Sequence, residues 1–333
     1  MEPVTAEPAL PPVGGFESAA QSGPAEKQKH VQRKRKRSYF MAKLVVGWSV
    51  ILVAIVFAAR TLLHDDKTER REAFNKEVDA KVVVSEEDTA LLTKAIAPAS
   101  STISQFLTAD TPEARNQFVL DPIGTAAKMA RFYSLNPLVV IDPHTLKITG
   151  NSVVQLPGHK AIELQWDFED GRALDAVFVE ENGEWHLDWE HYARYSDYPW
   201  ALFLAGSGDD HGEFRLLARE RLAEERKNDA TISVVLYAPR FGHPGETGYQ
   251  SPEFLVPRDT KNGRLLDAGF KLERSGGRVF DVKLPDTNPE GLIRVRAKVR
   301  RVEENGERRF ELEDVVACHW YSVDEPGVEI PDK

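Results

Sequence analysis

The 333-residue chain holds one cysteine, Cys318, so no internal disulfide framework can form. Its flanks, VVACHWY, suggest a strand thiol packed as a small hydrophobe. The common chemical signatures are also missing. There is no GxSxG, HExxH, CxxC or EF-hand loop. Gly206-Ser207-Gly208 has neither the lysine of a phosphate loop nor the third glycine of a dinucleotide fingerprint. No internal repeat is visible, and no cofactor is implied. Basic charge is scarce where the chain is long enough to fold: from His64 onward, 49 acidic residues face 34 basic ones. Such a body repels nucleic acid, which needs a basic footprint.

Long hydrophobic runs are absent with one exception. Leu44–Ala59 reads LVVGWSVILVAIVFAA, without a charge. Extended over residues 39–63 it reaches the roughly 20 helical residues that a bilayer core requires. Lys43 and Arg60 fall near its ends, where long stems carry charge to the headgroups. Residues 27–43 carry eight positive charges and no negative ones, which predicts a cytoplasmic N-terminus and a body outside the cytoplasm. A signal peptide cleaved near Ala58 is the main competitor. The segment before the apolar run, over forty residues, exceeds the usual length of about 15–30. The expectation is a single-pass inner-membrane protein.

Residues 1–38, rich in Pro, Ala, Gly, Ser and Glu before the basic run, read as a disordered basic cytoplasmic tail. Residues 64–84 read as a solvated helical stalk. Ser85-Glu-Glu-Asp88 has capping-box spacing and opens a helix with Leu92, Ile96, Ala99, Ile103, Phe106 and Leu107 on one face, kinked at Pro98. Thr111-Pro112-Glu113 and Asp121-Pro122 open two more helices.

From Leu138 the period changes to two. Lys147–Leu156, a strand with Ile162, Leu164, Trp166 and Phe168 inward, Arg172–Glu181, and a strand with Trp185, Leu187, Trp189 and His191 on one side form an antiparallel meander with one apolar face. Asp170-Gly171 and Asn182-Gly183 supply turns. Helices followed by a sheet that ends in EENGEWHLDWEHY resemble the NTF2-like, cone-shaped α+β superfamily over residues 85–204, and the outer domains of bacterial single-span proteins. That resemblance implies a cone whose pocket serves isomerases, dehydratases, ligand binders or purely structural modules, so it leaves function open.

Residues 205–321 read as a second, β-rich section, with strands at Thr231–Tyr237, Phe254–Val256 and Val279–Leu284. Glu213–Ala223 fits strand or helix, Lys261–Leu272 is a helix, and a hairpin forms around Asn305-Gly306. The order resembles an OB-like barrel. Residues 322–333 read as a disordered tail. The fold class expected is therefore α+β: one transmembrane helix, a three-helix plus antiparallel-sheet NTF2-like cone, and an OB-like section.

Candidate chemistry is sparse. His186, Asp188 and Glu190 would share one strand face, as metal ligands or as an ordinary solvated face. His191, facing the core, is the better candidate for a general base, with Asp167 and Asp175 behind it. Asp209-Asp210-His211 reads as a linker rather than a metal turn. Arg294, Arg296, Lys298 and Arg300 alternate along a strand, as a solvated face paired with Glu311 and Glu313, or as an anion-binding row. These patterns favour a non-enzymatic, membrane-tethered binding or scaffold protein of the bacterial envelope, with a protein partner or a small ligand. An NTF2-like enzyme, isomerase or dehydratase, is the alternative. An OB-type nucleic-acid binder is disfavoured by charge.

Overall fold

A computed structural model describes residues 85–221 and 230–330, which lie within one compact unit, residues 80–333. The tail, span and stalk expected over residues 1–38, 39–63 and 64–84 fall outside the described residues. The fold class needs correcting in this respect: among the described residues no helix is long and apolar enough to cross a membrane. The longest helix, α1 (Glu86–Thr108), opens on Glu86, Glu87 and Asp88 and buries only one face. What stands is an α+β fold with two antiparallel sheets.

Helix α1 starts where Ser85 Oγ accepts the Asp88 N–H at 3.0 Å, and it runs on through Pro98. Ala95, Ala99, Ile103, Phe106 and Leu107 recur at helical spacing and are its buried residues. Helices α2 (Pro112–Asn116) and α3 (Pro122–Leu135) both begin at a proline, capped by Thr111 and Asp121. Strands β1 (Leu146–Leu156), β2 (His159–Phe168), β3 (Ala173–Glu181) and β4 (Glu184–Leu187) form the expected meander. The turn at Asn182-Gly183 has both residues at positive φ, as a tight two-residue hairpin requires. The Asp170-Gly171 connection instead spans four residues, Glu169 to Arg172.

One face of this sheet meets α1. Ile162, Leu164, Trp166, Phe168, Leu174, Ala176, Phe178, Trp185 and Leu187 join Ile103, Phe106 and Met129 in the first core. The second face was expected to meet solvent, but it is buried too. Ala161, Val177 and Val179 pack with Val282, Leu284 and Tyr321 from the second section, and Glu163, Gln165 and Asp175 are buried on this same face.

Two short helices, α4 (Trp189–Ala193) and α5 (Trp200–Leu204), lead to the second sheet. It contains β5 (His211–Glu220), β6 (Thr231–Pro239), β7 (Thr247–Gln250), β8 (Phe254–Pro257), β9 (Leu292–Glu304) and β10 (Glu307–Ala317). The strand order is β10-β9-β5-β6-β7, with β8 also paired to β6. Among the described residues no ladder returns from β10 to β7 or β8, so the barrel closure of an OB fold is not formed. Instead α6 (Lys261–Arg274) packs Leu265, Leu266 and Phe270 onto one face, against Phe214, Ile232, Val234 and Val295. Val279–Leu284 is not a strand: Phe280 and Asp281 have positive φ, and the segment makes a turn before Val282 and Leu284 insert against the first sheet. Residues 322–330, expected as a free tail, also pack. Val328 and Ile330 lie against the second core, and Cys318 N donates to Pro326 O at 2.9 Å.

Candidate functional site

Strand β4 stops at Leu187 because Asp188 leaves the strand and caps α4: its Oδ1 accepts the His191 N–H at 3.0 Å. This turn corrects the expected strand alternation and scatters the candidate metal ligands. His186 is partly exposed beside Glu184. Asp188 is buried and accepts from the N–H and hydroxyl of Ser322 at 2.8 and 2.7 Å. Glu190 accepts from Arg215 at 2.9 Å and pairs with Lys128. Asp167 is exposed and takes no part. Trp189 enters the first core, edge-on to Phe132, and its helix carries His191 to the opposite side of the sheet.

There His191 joins Glu163 of β2 and Asp175 of β3, all three fully or almost fully buried. One ligand atom of each lies within 4.8 Å of the others, a geometry that could hold a cation. The cation in place is Arg294 of β9. Its Nη1 is 3.0 Å from Asp175 Oδ2, 3.3 Å from His191 Nε2 and 4.0 Å from Glu163 Oε1. A metal ion would have to expel this guanidinium. Arg194 closes the other side of Asp175 at 2.6 Å. Tyr321 donates its hydroxyl to Glu163 Oε2 at 3.1 Å and stacks on His191, with centroids 5.0 Å apart.

The electrostatics follow from burial and the two arginines. Burial alone would raise the Asp175 carboxyl, but Arg194 and Arg294 outweigh it and hold the group well below the usual carboxylate range. Burial dominates for Glu163, whose pKa is raised despite Arg294, and for His191, which it pushes well below the ordinary imidazole value. Glu163 Oε1, Asp175 Oδ2 and His191 Nδ1 have no hydrogen-bond partner, so at the two carboxylate oxygens the charge of Arg294 compensates, while Tyr321 and Arg194 hydrogen-bond the other oxygen of each carboxylate. A general base must reach a substrate proton. His191 is 1% exposed, and the cavity that touches its neighbours Arg294 and Tyr321 has only about 50 Å³.

The remaining candidates disperse. Arg294 and Arg296 face the seam between the sheets, and Arg296 donates to Tyr321 O at 3.0 Å. Only Lys298 and Arg300 of that row are exposed, and Arg300 sits opposite Glu311 in the hairpin register. Asp210 and His211 form an exposed pair at 2.9 Å, and Asp209 accepts the Tyr198 hydroxyl. Cys318 is buried, and desolvation pushes its thiol up to about 12, which excludes a reactive thiolate at neutral pH.

A larger cavity, about 290 Å³, opens elsewhere. It lies between the end of α3, the connection 193–200 and the end of β6 with the loop after it. Arg131, Phe132, Tyr195, Tyr198, Trp200 and Phe241 define it. Two of its lining side chains, Leu135 and Phe241, are 51% and 45% exposed, high for large apolar groups. No family model, curated protein or solved structure matches the chain.

Sequence reasoning singled out His191, Asp175 and Arg294 separately but missed the cleft, Glu163 and Tyr321, and the meeting of these groups in one cluster. Glu163 alternates with large apolar residues and looks solvated, while Arg294, Arg215 and Tyr321 arrive from the other section. The available signal was Asp175, a lone acid inside the run LDAVFV. A strand apolar on both faces leaves no solvent for such a group, so it requires a buried partner.

Proposed function

We propose that the chain is a non-enzymatic binding or scaffold module whose recognition surface is the cleft beside α3. The carrying observation is the division of labour between two places. The ionisable groups that converge are closed over one another, with Arg294 seated among Glu163, Asp175 and His191. The accessible concavity carries aromatic rings and arginines instead. At about 290 Å³ its size suits a small ligand better than a protein segment. An isomerase- or dehydratase-type enzyme would need its pocket inside the cone of the first section. Trp166, Trp185 and Trp189, the rings that would line it, are buried in the first core.

Ligand-observed NMR of the full chain against a mixture of small aromatic and aliphatic fragments, repeated on Phe241→Ala, tests this reading. Aromatic fragments should give signals that Phe241→Ala removes. Signals unaffected by Phe241→Ala but lost in Asp175→Asn would move function to the buried cluster and overturn it, as would no binding at all.

A further inference from the structure

We infer that the cleft takes a small aromatic monocarboxylate, a step that rests on the binding-module reading and names its ligand class. Five aromatic rings, Phe132, Tyr195, Tyr198, Trp200 and Phe241, wall the cavity. They offer faces and edges against which a planar ring packs. Polar groups that must be matched accompany them. Arg131 is exposed and forms no ion pair among the described residues. Its guanidinium lies 4.3 Å above the Tyr198 ring, and a hydrogen bond with Tyr198 and the nearby charge of Asp197 raise its pKa, so the fork is placed at the cavity with part of its donor set engaged.

The other two arginines of the lining are engaged. Arg194 is held by Asp175, and Arg215 by Glu190 and by the carbonyls of Trp320 and Tyr195. Asp175 and Glu190 balance their charge, so Arg131 is the arginine of the lining without a salt bridge among the described residues, and Asp197 is the one acid of the lining. One unpaired guanidinium selects one carboxylate, which it can grip with two parallel N–H donors. Trp200 is 4% exposed and packs on Phe203 and Phe214 in the second core, which holds this part of the wall in place. The volume, about 290 Å³, admits a ring with a short side chain.

The probes are 3-phenylpropanoate, its neutral amide 3-phenylpropanamide, and acetate, titrated against the full chain near neutral pH and low salt by saturation-transfer NMR. The acid should bind about tenfold more tightly than the amide, the factor a charge-assisted contact supplies. Acetate, lacking the ring, should show no saturable binding. Arg131→Gln should bring the acid down to the amide's affinity, and Phe241→Ala should weaken acid and amide alike. Equal affinity of acid and amide for the unaltered chain overturns the proposal and needs no variant to fold. Unchanged acid binding by Arg131→Gln overturns it too, as does a peptide ending in phenylalanine that binds about a hundredfold tighter than the free acid, since contacts beyond one ring and one carboxylate would then dominate. If acid and amide bind equally and Phe241→Ala weakens both, the ligand class falls while the binding module stands. If no aromatic fragment reaches the cleft, both fall.

Discussion

Asp175 stays ionised at a place where burial alone would protonate it, because two guanidinium groups reach it from different parts of the chain. Removing its charge leaves Arg194 and Arg294 buried without their shared counterion. Asp175→Asn should therefore cost about 3–5 kcal/mol, the usual penalty for breaking a buried pair from one side, read as a fall in urea midpoint. A loss under about 1 kcal/mol would mean that the carboxylate is solvated and the cluster open.

His319 gives a cleaner test of burial. Desolvation lowers its imidazole from 6.5 to about 3, and its Nε2 hydrogen-bonds to Glu325 O at 2.7 Å. Below the unfolded pKa the unfolded chain binds a proton that the folded chain refuses, so this group makes stability fall as pH drops from about 6.5 toward 3. Glu163 and Asp188, with raised pKa, act in the opposite direction. The comparison with His319→Gln isolates the imidazole: the slope of stability against pH below 6 should flatten by about 1.4 kcal/mol per pH unit, one proton's worth. An unchanged slope would place His319 in solvent.

At the scale of elements, local chemistry was legible and tertiary chemistry was not. Ser85, Thr111-Pro112 and Asp121-Pro122 marked three helix starts because capping needs only residues three or four apart. Asn182-Gly183 and Asn305-Gly306 marked two hairpins because positive φ at both turn positions is a local demand. The strand that seemed to run through His191 ended at Leu187 because a cap and a strand compete for Asp188, and contacts with Ser322, far along the chain, favour the cap. The apolar alternation of Val279–Leu284 reflects insertion into another section's sheet rather than membership of a strand.

Packing of α6 shows a further contact that no local pattern announces. A Cβ at Gly269 would meet Cys318 Sγ and Ile293 Cδ1, each at 2.9 Å. Gly269→Ala should therefore destabilise by about 1–3 kcal/mol, although alanine is the better helix former by nearly 1 kcal/mol. Adding Cys318→Ala should restore part of the loss in thermal unfolding. A stabilised single variant would show that the helix stands off from β9 and the end of β10.

At the scale of the molecule, the two sections meet along a seam of charge and rings. Glu163, Asp175, Glu190 and His191 come from the first section, and Arg215, Arg294, Trp320 and Tyr321 from the second. Separated, each half would expose its apolar seam residues, Val177 and Val179 on one side and Val282, Leu284 and Tyr321 on the other, and would lose the ion pairs that join them. Residues 80–333 should accordingly unfold in one transition, with tryptophan fluorescence and far-ultraviolet dichroism coincident in urea. Arg294→Leu should shift that single transition, and two separated transitions would show that the sections are independent. Sequence could not reveal the seam, because each partner reads as an ordinary surface charge until the other section covers it.

Hydrogen–deuterium exchange of the full chain, with and without a saturating aromatic fragment, bears most directly on where recognition takes place. The binding-module reading predicts added protection at residues 131–136, 193–200 and 238–241, with β2 and β3 unchanged around Glu163 and Asp175. Protection centred on those two strands, with the cleft unaffected, would contradict it.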